Sequence, residues 1–174
     1  MAATVQIAER NGVSPGTETP NVSNLNMGSA DTPNLVPATY PITAMADGHA
    51  FEKWIRINLT ALGGSTRIDN LKAWLSSLGG GWKTGEGMSS NLRTSGWVNT
   101  PYATPVETNS AVADQVMPES LPGGPNIGIG GSLAGYLDAA PSYSDYIVLQ
   151  LDVTASTPAG NVNQKTITFQ YDEQ

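Results

Sequence analysis

Cysteine is absent from this sequence, which removes disulfide cross-links, thiolate zinc sites and thiol nucleophiles together. Histidine occurs once, as His49. A zinc site would have to be built from carboxylates almost alone, and a Ser–His–Asp triad has one candidate base. Charged residues are scarce at 13%, about half the usual share in a soluble domain. Stretches of Ala, Leu, Glu, Lys and Arg at helical spacing are missing, so long helices are not expected. No apolar run reaches the ~20 residues of a membrane span. The Met1–Ile7 start also lacks the basic and apolar regions of a signal peptide. The expectation is a chain without a membrane segment, made and first folded in the cytoplasm of its producing cell.

Turn formers take the place of charge: 19 Gly and 12 Pro accompany many Ser, Thr and Asn. A chain of 174 residues suits one domain with a real hydrophobic core, needing no disulfide or metal to hold it. The net charge of −7 is unevenly placed. Residues 51–93 carry Lys53, Arg56, Arg67, Lys72, Lys83 and Arg93 against Glu52, Asp69 and Glu86, whereas residues 94–174 carry Lys165 alone against eight acids. Six dispersed cations are not a nucleic-acid patch, and an acidic chain repels phosphate backbones, so no nucleic-acid partner is expected.

Residues 1–40 read as an extended N-terminal arm ahead of a β-domain over 41–174. Pro15, Pro20, Pro33 and Pro37 punctuate Gly, Ser, Thr and Asn, and the apolar residues Val22, Leu25, Met27, Leu35 and Val36 follow neither strand nor helix period. Such a stretch cannot order itself, so it reads either as a disordered tail or as an arm extended across a partner that supplies the burial. Because linkers avoid large apolar residues and this segment keeps them, those five are candidate partner-binding residues.

Alternation of period two marks the strands. Phe51–Thr60 places Phe51, Ile55, Ile57 and Leu59 on one face, with Lys53 interrupting the row. Ser65–Leu75 reads as a strand with a bulge, as a turn at Asp69-Asn70 before a short strand, or as a helix. Thr104–Ala113 reads as a strand or the start of a short helix. Asp145–Thr154 is the clearest strand, with Val148 making its outer face partly apolar. Thr166–Tyr171 alternates Ile167, Phe169 and Tyr171 with polar residues, and these last two strands are expected to pair as a hairpin. Many strands, Gly/Pro-rich loops and almost no helix imply an all-β fold, an antiparallel β-sandwich of jelly-roll or Ig-like type, with a closed barrel as the alternative.

No constellation for catalysis stands out. The run Gly123–Gly135 invites a nucleotide reading, but Leu133 stands where the dinucleotide fingerprint needs its third glycine, and no Lys-Ser/Thr pair makes a phosphate loop. The long loop over 118–142 is expected to be a partner-moulded surface, with Ile127 and Ile129 as further candidate contact residues. His49 reads as an ordinary loop or interface residue. Trp54, Trp74, Trp82 and Trp97 read as core or interface anchors, with a sugar platform as the alternative. The acids are dispersed, with no calcium-loop spacing and no local pair for glycoside hydrolysis. No catalytic, metal or cofactor-binding residues are assigned, and a non-enzymatic binding role is expected.

Three segments carry a resemblance: Phe51-Glu-Lys-Trp-Ile-Arg-Ile57; Ile68-Asp-Asn-Leu-Lys-Ala-Trp74 with Thr84-Gly85; and Ser144–Leu151 with Phe169-Gln-Tyr-Asp-Glu173. In order, they resemble a group of structural proteins from the virions of tailed bacteriophages, over residues 40–174. The resemblance implies a particle component. Combined with a compact β-domain and an arm, it implies a capsid decoration (cement) protein on the capsid surface. Its partners would be the major capsid protein and further copies of itself, with a trimer favoured. A neck, tail or baseplate component, or a surface carbohydrate-binding module, is the alternative.

Overall fold

The computed structural model describes residues 1–160 and 163–174. Its elements are β1 (Thr4–Asn11), β2 (Thr17–Thr19), β3 (Gly48–His49), β4 (Lys53–Ala61), β5 (Ile68–Ser77), β6 (Glu86–Ser90), β7 (Gln115–Val116), β8 (Tyr136–Leu137), β9 (Ser142–Tyr143), β10 (Ile147–Val153) and β11 (Thr166–Glu173). Among the described residues there is no helix, and so none long and apolar enough to cross a membrane. The larger sheet runs β2-β1-β4-β10-β6-β7, with β3 paired to β10 and β9 to β4; the smaller is β11-β5-β8. All pairings are antiparallel. The expected sandwich is present.

The core lies between the sheets. Ile55, Ile57 and Leu59 of β4 and Ile147, Leu149 and Leu151 of β10 meet Ile68, Leu71, Ala73 and Leu75 of β5. Each fully buried Ile or Leu contributes about 1.5–3 kcal/mol relative to exposure. The β5 spacing of three, two and two looks wrong for a strand, and a bulge explains it. Gln170 pairs with Lys72 and Asp172 with Asp69, so Asn70 and Leu71 together oppose Tyr171. Asn70 takes φ +53° there, a conformation asparagine tolerates. The extra residue returns Ile68 to the core face, which decides the sequence alternatives for this segment in favour of the bulged strand.

Two expectations need correction. Strands β10 and β11 are not a hairpin: β10 lies in the larger sheet and β11 pairs with β5 in the smaller one. The link crosses between the sheets because β10 is a central strand buried on both faces, with β4, β6 and β3 already as neighbours. The second concerns residues 1–40, which do not form a separate arm. Residues 4–11 are β1, paired with β4 from Thr4 opposite Ala61 to Arg10 opposite Trp54. The segment after it stays on the sandwich. Val22 N donates to Ile7 O and Phe51 N to Gly28 O. The Asn34 carboxamide oxygen accepts from Ser23 N, Ser23 Oγ and Asn24 N. Met27 and Leu35 are buried.

The loop over 98–114 forms neither a strand nor a helix. It covers the outer face of the larger sheet, where Val148, Trp54, Tyr146 and Ala113 make a second apolar cluster flanked by Tyr102 and Val112. Fully buried Gln150 holds this loop. Its carboxamide donates to Ala50 O and Thr108 O at 2.9 and 2.8 Å and accepts from Ser110 N at 2.8 Å.

Candidate functional site

The end of the sandwich where β1 finishes and β4 begins gathers the chain's most distinctive side chains. On the core side lies an ion pair, Lys53 Nζ to Glu9 Oε1 at 2.7 Å, with both side chains essentially without solvent exposure. Lys53 also donates to Thr32 O at 2.7 Å. Asn11 bridges Glu9 and Asp31, and Asp31 accepts from Gly12 N. This network ties the segment around residues 31–32 to β1 and β4.

On the outer face, Glu18 of β2 accepts from Arg56 Nε at 2.7 Å and lies 3.6 Å from Arg10. Both guanidiniums stack on tyrosines: Arg56 lies 3.6 Å from the Tyr143 ring centre, and Arg10 lies 5.6 Å from that of Tyr102. Burial, with the Asp31 charge adding to it, pushes the Tyr102 hydroxyl up to about 12. Tyr102 stays protonated and donates to Gly12 O. The cations are thus occupied within the fold, gluing β2 and the 98–114 loop to the sheet.

At the same end, β3 places His49 beside Asp152. Its Nδ1 lies 2.8 Å from Asp152 Oδ1 and its Nε2 2.7 Å from Asp47 Oδ1; Ser89 Oγ donates to Asp152 Oδ2 at 2.6 Å. The imidazole is 8% exposed and Asp47 81% exposed. Burial pulls the His49 pKa down, but the hydrogen bonds and charges of Asp152 and Asp47 outweigh it, and the net shift is upward. An imidazole facing a carboxylate on each nitrogen donates twice only as the cation. In that form it has no lone pair to take a proton from a nucleophile, and Ser89 bonds the aspartate rather than the imidazole. The group is a clasp between the 43–49 segment and β10.

Next to the clasp is a cleft of about 400 Å³ lined by Thr43, Met45, Asp47, Gly48, His49, Glu107, Thr108 and Asn109. Its exposed carboxylates are Asp47 and Glu107. Met45 in its wall is exposed, as is Val106 next to Glu107 in sequence, and Val36 and Tyr40 are exposed on the segment that Thr32 O and Gly28 O tie to Lys53 and Phe51. Val13 is also exposed on the β1–β2 turn, which Ser14 N ties to Thr104 Oγ1 at 3.0 Å. The arrangement offers a partner an apolar contact, Met45, in the wall of an acidic notch. Among the described residues no cluster of His, Asp and Glu is placed to hold a metal ion.

The residues expected to bind partners divide. Val36 is 57% exposed, as a partner-binding residue would be. Met27, Leu35 and Ile127 are buried in the chain's own core, and Val22, Leu25 and Ile129 are half-buried. The burial expected from a partner is supplied intramolecularly, which corrects that reading for Met27, Leu35 and Ile127. Trp54 and Trp97 are also buried. Half-buried Trp82 donates to Glu119 and lies under Lys165. The four tryptophans therefore form no shared exposed platform.

The glycine loop is moulded around an internal anion rather than a partner. Gly130 N donates to Asp145 Oδ1, and Gly131 N and Trp97 Nε1 donate to Asp145 Oδ2, at 2.9, 2.9 and 2.8 Å. Gly130 and Gly131 adopt φ of +60° and +82°, which turns their N–H groups inward as a nest for an anion. Gly128 is demanded by contact, since a Cβ there would lie 2.0 Å from Trp97 Nε1. Phosphate-loop-like composition here serves the chain's own carboxylate. No protein-family model, curated protein or solved structure matches this chain.

Proposed function

We propose that the chain is a structural virion protein that binds the outer surface of a capsid and bridges neighbouring capsomers, as decoration proteins do. The observation that carries this reading is that Val13, Val36, Tyr40, Met45 and Val106 are exposed on segments that backbone and side-chain hydrogen bonds tie to the start of β4 and the 98–114 loop, while Val98, Val116, Leu121 and Tyr136 are exposed elsewhere. Exposed apolar groups in one region mark an interaction surface, and fixed segments lower the entropy lost on docking. The resemblance to phage structural proteins agrees with it, but falls on residues that build the fold. Lys53 and Trp54 are buried on opposite faces of β4, Asn70 makes the β5 bulge, and Glu173 clips Ala3 N and Ser65.

The major capsid protein is the proposed partner, and many copies on a shell would make weak single contacts count. The test is binding of purified protein to expanded, mature shells, with copy number per particle. Stoichiometric binding at hundreds of copies, lost in Val36→Asp/Met45→Asp without a change in the unfolding midpoint, is the expected result. Failure to bind shells removes the proposal; a few tens of copies or fewer would assign the chain to neck, tail or baseplate.

A further inference from the structure

The two edges of the smaller sheet are treated differently. On one side of β5, the ladder is completed throughout: β8 pairs at Ile68 and Asp69, Leu75 N donates to Pro118 O, and Asn126 uses its side chain as a substitute strand. Asn126 Nδ2 donates to Ala73 O and its Oδ1 accepts from Ala73 N, both at 2.8 Å. On the other side lies β11, eight residues long, paired with β5 along one edge only. Among the described residues no backbone group bonds to its outer edge. The core-facing residues Ile167, Phe169 and Tyr171 are half-buried rather than buried. The outer edge carries no proline, and its central residues, Thr166–Tyr171, carry no charge, although these are the usual devices that keep edges apart.

We propose that this edge pairs with β11 of a second copy of the chain, antiparallel, about a two-fold axis at Phe169. The strand's own pattern selects the occupant and the register. Only even register shifts keep the core-facing row of one copy in line with that of the other. Of these, the register placing Phe169 opposite itself sets Ile167 against Tyr171 of the second copy, Thr168 against Gln170, and Lys165 against Glu173. Shifting either way sets Ile167 against Glu173 or Lys165 against Tyr171. The chosen register alone sets Ile167, Phe169 and Tyr171 only against one another, whereas Lys165 and Glu173 already have partners within the chain, and apolar cross-strand pairs of this kind are stabilising. The smaller sheets of two molecules would then merge into one six-stranded sheet. A two-fold contact is self-complementary and closes as a dimer, in contrast to the trimer expected for a shell position.

Sedimentation velocity of the full chain across a concentration series, up to about 1 mM, reads the proposal directly. The expected result is a reversible monomer–dimer equilibrium, with slower hydrogen exchange at alternate β11 amides as concentration rises. In Thr168→Lys/Gln170→Lys, like charges face each other twice across the axis, and Kd should rise about tenfold or more. In Thr168→Lys/Gln170→Glu, opposite charges face each other, and association should return to the wild-type level or tighten. Because both variants share Thr168→Lys, a folding defect from that change cannot imitate the pattern. A monomer at every concentration, a trimer, or a dimer indifferent to the charge pattern would overturn it. So would unchanged exchange at β11 in a concentration-dependent dimer.

Discussion

Replacing Lys53 by methionine tests the least expected feature of the core. The ammonium is 2.7 Å from Glu9 Oε1 and 2.7 Å from Thr32 O, and neither charged side chain reaches solvent. Methionine matches the length of the lysine stem, so little cavity is left and the change isolates the charge. Glu9 would then keep only Asn11 Nδ2 at 2.8 Å, since its Oε2 has no partner. Removing one member of a buried pair costs about 3–5 kcal/mol because the other charge stays buried without compensation. At roughly 2–4 °C per kcal/mol for a chain of this size, the thermal midpoint should fall by about 6–20 °C. Urea unfolding measures the free energy, with an unchanged slope confirming that the denatured state is the same. The double variant Lys53→Met/Glu9→Leu should recover most of the loss, because an apolar pair needs no compensation. A single-variant loss below about 1 kcal/mol, or a double variant as damaged as the sum of two singles, would refute the reasoning.

The His49 clasp gives a pH dependence of defined sign. Its folded pKa is raised, so its stabilising contribution is complete below the unfolded value of about 6.5 and is lost as pH rises through the folded value. Thermal midpoints followed from about pH 6 to about pH 9 should therefore fall more steeply in the wild type than in His49→Asn; equal slopes would remove the clasp. Asp145→Asn puts an amide where Gly130, Gly131 and Trp97 all donate, and a loss of about 1–3 kcal/mol is expected in urea unfolding. Gly128→Ala places a Cβ within 2.0 Å of Trp97 Nε1 and should displace the indole, seen as a red-shifted tryptophan emission. Deletion of residues 1–11 removes β1 and bares the β4 edge; the expected result is insoluble protein rather than a folded domain with weaker binding.

The parts of this fold legible in the sequence are those where alternation meets no charge. Strands β10 and β11 are clean alternations, and the patterns over Asp145–Thr154 and Thr166–Tyr171 end within two residues of the observed strands. Strand β1 was hidden by its own chemistry. Val5, Ile7 and Glu9 form its core-facing row, and a glutamate in that row hides the pattern, as Lys53 interrupts the one in β4. The two interruptions are partners, and a single sequence shows each without showing that they meet. Pairing of β11 was also illegible, because nearness in sequence favours a hairpin while the saturation of β10 by three neighbouring strands forbids it. Of the seven residues that the sequence offers as partner contacts, Val36 alone is exposed. The acidic notch depends on 43–49 lying against 107–109, a contact across some sixty residues that leaves no periodic trace.

Low charge content and long irregular loops would ordinarily argue for a mobile surface, yet here they go with a fixed one. A few buried polar side chains each satisfy several backbone groups. Gln150 holds Ala50, Thr108 and Ser110, while Asn126 holds both polar groups of Ala73. Asp145 gathers Gly130, Gly131 and Trp97, and Glu52 binds Ser110, Val106 and Trp54. An unsatisfied buried amide costs on the order of 1–3 kcal/mol, so each such hub penalises any loop movement that would break it. Among these hubs, Gln150 and Glu52 hold Val106, Thr108 and Ser110, and so set one wall of the acidic notch. A surface prepared in that way loses little conformational entropy on contact. That is the property the proposed capsid-binding role requires.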